Sequence, residues 1–65
     1  LGALTERETE VTILMAQGLS NRDIASRLFV TEATVKTHVN NVFTKLDVND
    51  RASAVAWAFR AGLAT

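Results

Sequence analysis

The chain has 65 residues, seven basic and seven acidic side chains, and an apolar fraction of 48%. A chain of this length forms one domain, and the absence of cysteine excludes disulfides and thiolate metal sites. With one histidine, and with no apolar run near the roughly 18 residues that a membrane span needs, we expect neither a histidine metal centre nor a membrane partner. We therefore expect no cofactor, no metal and a cytoplasmic location.

The positive charge is concentrated in residues 20–45. That range holds four basic side chains against Asp23 and Glu32, whereas residues 1–17 hold three acidic side chains against Arg7. A basic segment inside a neutral chain predicts moderate, salt-sensitive binding of nucleic acid.

Helix 1 is predicted from about Glu6 to Gln17. Thr5 and Glu8 have the T-x-x-E spacing of a capping box, and Gly18 is suited to end the helix in a left-handed conformation. The predicted buried face consists of Val11, Leu14 and Met15.

Two further helices follow with a short turn between them. Helix 2 begins after Ser20 or Asn21, and its inward stripe is Ile24, Ala25 and Leu28. After the turn Phe29-Val30, Thr31 caps helix 3, which runs to about Lys45. Helix 3 has apolar residues on one face at spacings of four, three and four, namely Val35, Val39, Val42 and Leu46. This arrangement predicts a helix-turn-helix.

Helix 4 is predicted to begin after Asn49 or Asp50 and to end near Ala61, with Gly62 as its stop. Its apolar arc is wider than packing on one neighbour requires, and it includes Ala54, Val55, Trp57, Ala58, Phe59 and Ala61. We therefore predict a homodimer through helix 4, with Val55, Trp57 and Phe59 as contacts. The alternative is that an alanine-rich helix is apolar in composition without binding anything. A small interface is compatible with a monomer in the absence of DNA.

The outer face of helix 3 has the residues expected of a base-contacting surface. Lys36 can donate to guanine O6 and N7, and Asn40 can pair with adenine or bind through water. Thr37 offers a methyl group to thymine and a hydroxyl to either neighbouring base. Taken alone, Lys36 is more often a solvated charge, so the prediction depends on the agreement of caps, turn and faces.

Phosphate contacts are predicted around this face. Thr31 and Thr34 lie in the first turn of helix 3, where hydroxyls and backbone amides can hold a phosphate, although Thr31 is in the first instance a helix cap. His38 either packs at the edge of the apolar stripe or contacts a phosphate. The remaining candidates are Arg22, Arg27 and Lys45, of which Arg22 and Arg27 could instead be ordinary surface residues. The sequence contains no paired carboxylates, no activated nucleophile and no phosphate loop, so nothing in it suggests an enzyme.

Five segments resemble the LuxR/GerE-type DNA-binding domain, and together they cover essentially the whole chain. They are LTERETEV (4–11), GLSNRDIA (18–25), VTEATVKTHV (30–39), KLDV (45–48) and RASAV (51–55). The chain is most similar to the C-terminal effector domain of NarL-type two-component response regulators, in the VraR/LiaR-like branch.

The resemblance implies an all-α, four-helix fold in which the third helix lies in the major groove and the fourth forms dimers on two half-sites. It places base contacts at Lys36, Thr37 and Asn40, with Ala33 at the edge, and a phosphate contact at Thr34. Asn40 replaces a lysine of some relatives and Ala33 replaces a longer side chain, so the base preferred at that step stays open. Residues 1–65 would form the effector domain, and a covalently linked N-terminal receiver or other sensory domain would lie outside this sequence.

Two alternatives are considered. One is the fourth region of bacterial sigma factors, which has a similar DNA-binding helix but usually ends soon after it. The other is a helical protein-interaction module that binds no DNA, which would suit the zero net charge and the apolar helix 4. That alternative does not explain the small, polar outer face of helix 3.

Overall fold

Four α-helices form the domain in a computed structural model that describes residues 3–65. They are α1 (Glu6–Ala16), α2 (Asn21–Leu28), α3 (Glu32–Leu46) and α4 (Arg51–Arg60). The described range contains no strand, which confirms the predicted all-α, four-helix fold. Within the same range, no helix is long and apolar enough to cross a membrane.

Each helix begins after a polar residue whose side chain accepts a backbone N–H from three residues further on. These caps satisfy amides that the first turn of a helix leaves without a partner. Ser20 and Asp50 are the caps at the two places where the sequence left a choice. The capping distances are 3.1 Å for Thr5, Ser20 and Thr31, and 2.7 Å for Asp50. The Thr5 N–H donates in return to Glu8 Oε1 at 2.9 Å, which completes the predicted capping box.

The helix ends use left-handed residues, of which two are glycines and two are not. Gly18 and Gly62 have φ values of +89° and +80°, as their predicted role requires. Phe29 and Asp47 have φ values of 59° and 56°, which a side chain makes unfavourable. At Phe29 this conformation lets the next N–H, from Val30, donate to the Ala25 carbonyl at 3.0 Å. The resulting sharp turn directs the chain into α3.

The core lies between α1 and α3, and both α2 and α4 pack against this pair. The predicted stripes are confirmed, because every helix contributes residues that are at most 8% exposed. These are Val11, Leu14, Met15, Ile24, Ala25, Val35, Val39, Val42, Ala54 and Ala58. Leu28 and Leu46 pack at the rim of this core and are half-buried.

A polar contact that the sequence analysis missed holds the start of α4. The Arg51 guanidinium donates to Asn21 Oδ1 at 2.9 Å and to the Leu19 carbonyl oxygen. A cation in the first turn of a helix is unfavourable for the helix dipole. The position of Arg51 in the first turn of α4 therefore already indicated that its guanidinium binds a group outside that helix.

Candidate nucleic-acid interface

A narrow exposed stripe runs along α3, opposite its buried valines. At 3.6 residues per turn, Ala33, Thr37, Asn40 and Thr44 fall within an arc of about 60°. All four are exposed, and Lys36 is exposed beside them at one edge. The structure therefore brings together the four residues predicted to contact bases, which are Ala33, Lys36, Thr37 and Asn40. We call Ala33, Thr37, Asn40 and Thr44 the base stripe.

The two threonine hydroxyls of the base stripe bind the helix itself. Thr37 Oγ1 donates to the Ala33 carbonyl oxygen at 3.2 Å, and Thr44 Oγ1 donates to the Asn40 carbonyl oxygen at 3.1 Å. Both bonds span one turn of α3. The stripe consequently presents small side chains over most of its length.

The start of α3 forms a compact hydroxyl pair. Thr31 Oγ1 accepts the Thr34 N–H at 3.1 Å and lies 3.0 Å from Thr34 Oγ1. Thr31 is exposed and Thr34 is half-buried. One turn further along the same flank, His38 is also half-buried. The hydroxyl pair lies where α3 has free backbone amides, which is a suitable position for an anion.

The two arginines of α2 are exposed but point in different directions. Arg22 and Arg27 are about 140° apart around the helix axis, so they cannot contact the same phosphate. Arg27 lines a shallow groove with Asp23 and Phe29, and with Leu19 and Ser26. Any phosphate contacts by these two side chains are therefore separate ones.

Lys45 has a structural partner that the sequence analysis did not foresee. Its Nζ lies 2.7 Å from Glu8 Oε1, and the side chains of Lys45 and Glu8 are 28% and 5% exposed. The hydrogen bond from Lys45, followed by that from the Thr5 N–H, holds the pKa of Glu8 below its usual value. If Lys45 left to contact a phosphate, a buried carboxylate would lose its countercharge. The structure thus assigns Lys45 to the α1–α3 contact, and we do not retain it among the phosphate contacts.

The pair changes the charge balance of the candidate interface. With Lys45 bound to Glu8, the basic side chains exposed on α2 and α3 are Arg22, Arg27 and Lys36. Asp23 and Glu32 are exposed on the same two helices. The positive electrostatic field at this surface is therefore weak. In residues 3–65, no group of three or more histidine, cysteine or acidic side chains could hold a metal ion.

Of the three residues predicted to form the dimer, Val55 and Phe59 lie on one side of α4 and Trp57 lies on the other. Phe59 is 48% exposed, whereas Val55 is half-buried and packs on the core. Trp57 is half-buried and lies about 200° around the helix from Phe59. Part of the broad apolar arc is used internally, because Ala54 and Ala58 are fully buried. The apolar side of α4 around Phe59, which we call the α4 face, consists of the exposed Ala52, Ala56 and Phe59 and the half-buried Val55.

Residues 2–58 match the family model described as "Bacterial regulatory proteins, luxR family". The chain is 53% identical over 60 residues to the response regulator protein VraR of Staphylococcus aureus, and equally to that of Staphylococcus epidermidis. The match covers 92% of this chain and 29% of each relative, so the chain spans less than a third of the curated relatives' length.

Solved structures show the same fold. The response regulator ChrA of a heme-sensing two-component system superimposes with a TM-score of 0.88 and 44% identity, over 97% of this chain and 31% of that one. The transcription factor GerE gives a TM-score of 0.86 and 34% identity over 100% of this chain and 97% of its own. The resemblance inferred from the sequence motifs is thereby confirmed, and the chain belongs to the luxR family of bacterial regulatory proteins.

Proposed function

We propose that this domain binds duplex DNA sequence-specifically with α3 in the major groove. Membership of the luxR family implies DNA-binding regulation of transcription, a role that requires no catalysis. The observation that supports the finer proposal is the base stripe, a row of small side chains with Lys36 at its edge. The stripe itself contains no pair of long, oppositely charged side chains of the kind that often stabilises a solvent-facing helix.

The proposed contacts divide into base contacts and phosphate contacts. Lys36 donates to guanine O6 and N7, and Asn40 pairs with adenine. The phosphate contacts come from the hydroxyl pair Thr31 and Thr34, from the exposed Arg22 and Arg27, and from the half-buried His38. Ala33 and Thr37 supply close apolar contact to the base edges.

Dimerisation is proposed through the α4 face, centred on Phe59. An exposed phenylalanine beside two exposed alanines forms a flat apolar surface against which a second copy can pack. Such a patch is small compared with a stable dimer interface, so we propose a monomer in solution that pairs on two adjacent half-sites. Trp57, on the opposite side of α4, contributes only if the partner extends around the helix.

The longer protein is proposed to be a response regulator with a covalently linked N-terminal receiver domain, acting in the cytoplasm. The support is the similarity to VraR and ChrA, of which this chain covers 29% and 31%. Both alternatives from the sequence lose support. A sigma-factor region is disfavoured by the family match, and a pure interaction module leaves the base stripe without a function.

Selection of bound sequences from random duplex DNA tests the proposal. We expect enrichment of two half-sites whose centres are about 10 base pairs apart, since a dimer of major-groove helices contacts one face of the duplex. The selection is repeated in parallel with Lys36→Ala and Asn40→Ala, which should relax the preference at one base step each. Lack of enrichment at low and moderate salt, or the same enriched motif from all three proteins, would contradict the proposal.

A further inference from the structure

The base stripe contains two hydroxyl groups whose protons are already bound. Thr37 Oγ1 and Thr44 Oγ1 each donate to a backbone carbonyl oxygen one turn earlier in α3. A carbonyl oxygen can only accept, so the direction of both bonds is unambiguous. The stripe therefore differs chemically from what its sequence suggests, because its hydroxyls are not free donors.

This bond restricts what Thr37 can recognise. Guanine O6 and N7, adenine N7 and thymine O4 are acceptors in the major groove, and each needs a donor from the protein. Thr37 could donate to them only by giving up its bond to the Ala33 carbonyl, and the exchange of one hydrogen bond for another contributes little net affinity. The methyl group of Thr37 has no such competitor.

The neighbouring positions add to the apolar character of this part of the stripe. Ala33 lies one turn before Thr37, is exposed, and presents a second methyl group next to it. Lys36 and Asn40, at the edge and further along, are the side chains left to donate hydrogen bonds to bases. The two methyl groups form a small apolar surface of the kind that fits the 5-methyl group of thymine.

Resting on the proposed function of α3, we infer that Thr37 determines specificity by packing its methyl group against a thymine 5-methyl group. The hydroxyl sets the orientation of the side chain by binding the Ala33 carbonyl oxygen. Ala33 completes the apolar contact from the previous turn. The expected preference is a thymine in each half-site, on the Ala33 side of the base step contacted by Asn40.

The test combines protein variants with deoxyuridine, which lacks only the 5-methyl group of thymidine. The probe is a duplex obtained by selection with the wild-type chain, and each thymidine is replaced in turn. Thr37→Val retains the methyl group and removes the hydroxyl, whereas Thr37→Ser does the reverse. Thr9→Ser is the matched control, because the Thr9 hydroxyl makes the same bond, to the Thr5 carbonyl oxygen at 2.9 Å, on α1.

We expect Thr37→Val to bind within about twofold of the wild type and Thr37→Ser to bind about fourfold more weakly, the factor expected for one buried methyl group. Replacement of one particular thymidine by deoxyuridine should weaken binding of the wild type by a similar factor. The same replacement should not weaken the binding of Thr37→Ser any further. Thr9→Ser should have no effect.

The inference is overturned if Thr37→Val binds as weakly as Thr37→Ser, because the hydroxyl would then be the contacting group. It is also overturned if the deoxyuridine penalty is the same in the wild type and in Thr37→Ser. In either case, continued sensitivity of the same duplex to Lys36→Ala would leave the proposed role of α3 intact. Failure of the wild type to select any sequence would overturn both.

Discussion

Lys36 is the one long cationic side chain beside the base stripe, so under the proposed function we expect it to make the strongest polar contact with a base. The residues of the stripe are small, so α3 can approach the base edges closely and Lys36 can reach past them. The charge pattern of the chain contributes little attraction of its own. Discrimination between sequences must therefore come from a few well-placed side chains.

Lys36→Ala should lower the affinity for the selected sequence by about 1–3 kcal/mol and relax the preference at one base step. Binding to unrelated duplex should fall much less, since only one charge is removed. The measurement is a titration of both duplexes at one salt concentration, with Arg7→Ala on α1 as a charge-matched control. Equal losses on both duplexes would show that Lys36 contacts a phosphate rather than a base.

At the scale of elements, the fold depends on two polar contacts between segments distant in sequence. The Lys45–Glu8 pair joins the end of α3 to the start of α1, and Arg51 joins α4 to the α1–α2 connection. Glu8 is only 4% exposed and also closes the capping box. One carboxylate therefore supports both a helix start and a helix-helix contact.

Lys45→Ala should lower the free energy of unfolding by about 1.5–3 kcal/mol, because it removes a charged hydrogen bond and leaves a buried carboxylate without its partner. Denaturant titration by circular dichroism measures the change. Arg7→Ala is the control, since it breaks the exposed Arg7–Glu10 pair at 3.7 Å and should cost less than about 0.5 kcal/mol. Similar values for both variants would contradict the structural role of Lys45.

Acid should remove the stability that Glu8 contributes. The pKa of Glu8 is lowered from 4.5, so its contribution is complete above that pH and is lost as the pH falls through the lowered pKa. Glu8→Gln should therefore show a smaller loss of stability below pH 4.5 than the wild type. The Asp50 carboxyl, whose pKa the Ser53 N–H also lowers, adds acid sensitivity common to both proteins. Denaturant titrations at neutral and acidic pH compare the wild type with Glu8→Gln. An identical pH dependence of their free energies of unfolding would contradict the role assigned to Glu8.

Phe59→Asp should abolish cooperative binding to paired half-sites while leaving binding to an isolated half-site within about twofold. A carboxylate on the α4 face would have to be desolvated for two copies to pack there. Phe29→Asp is the matched control, since Phe29 is the other exposed phenylalanine, at 94%, and is remote in sequence from α4. If Phe59→Asp lowers the affinity for paired half-sites and for an isolated half-site by the same factor, α4 is not the dimerisation element.

Caps and apolar periodicity are local in sequence, which is why helix boundaries could be predicted to within one or two residues. Thr5, Ser20, Thr31 and Asp50 each act within their own first turn. The Lys45–Glu8 contact spans 37 residues and depends on how α1 and α3 pack, so no local pattern indicated it. For the same reason, the apolar arc of α4 could not be divided into core and surface until its neighbours were known. The left-handed Phe29 was also missed, because phenylalanine is not typical of that conformation.

At the scale of the whole molecule, zero net charge and a neutralised Lys45 make this a weakly attracting DNA-binding domain. A single copy has few phosphate contacts, so its affinity should decline only moderately with salt. In the proposed dimer, two copies on adjacent half-sites would double the number of contacts, and we expect this to raise the affinity at physiological ionic strength. Under this proposal specificity belongs to the pair, because α3 would supply the base contacts and α4 would set the spacing of the half-sites.

Methylation interference on the selected duplex is the sharpest test of whether α3 lies in the major groove, because it distinguishes the two grooves. Methylation of guanine N7 modifies the major groove, whereas methylation of adenine N3 modifies the minor groove. If α3 lies in the major groove, N7 methylation should block binding at two clusters of guanines about one helical turn apart, and N3 methylation between them should have little effect. Interference confined to adenine N3, or spread without two clusters, would contradict the placement of α3 in the major groove.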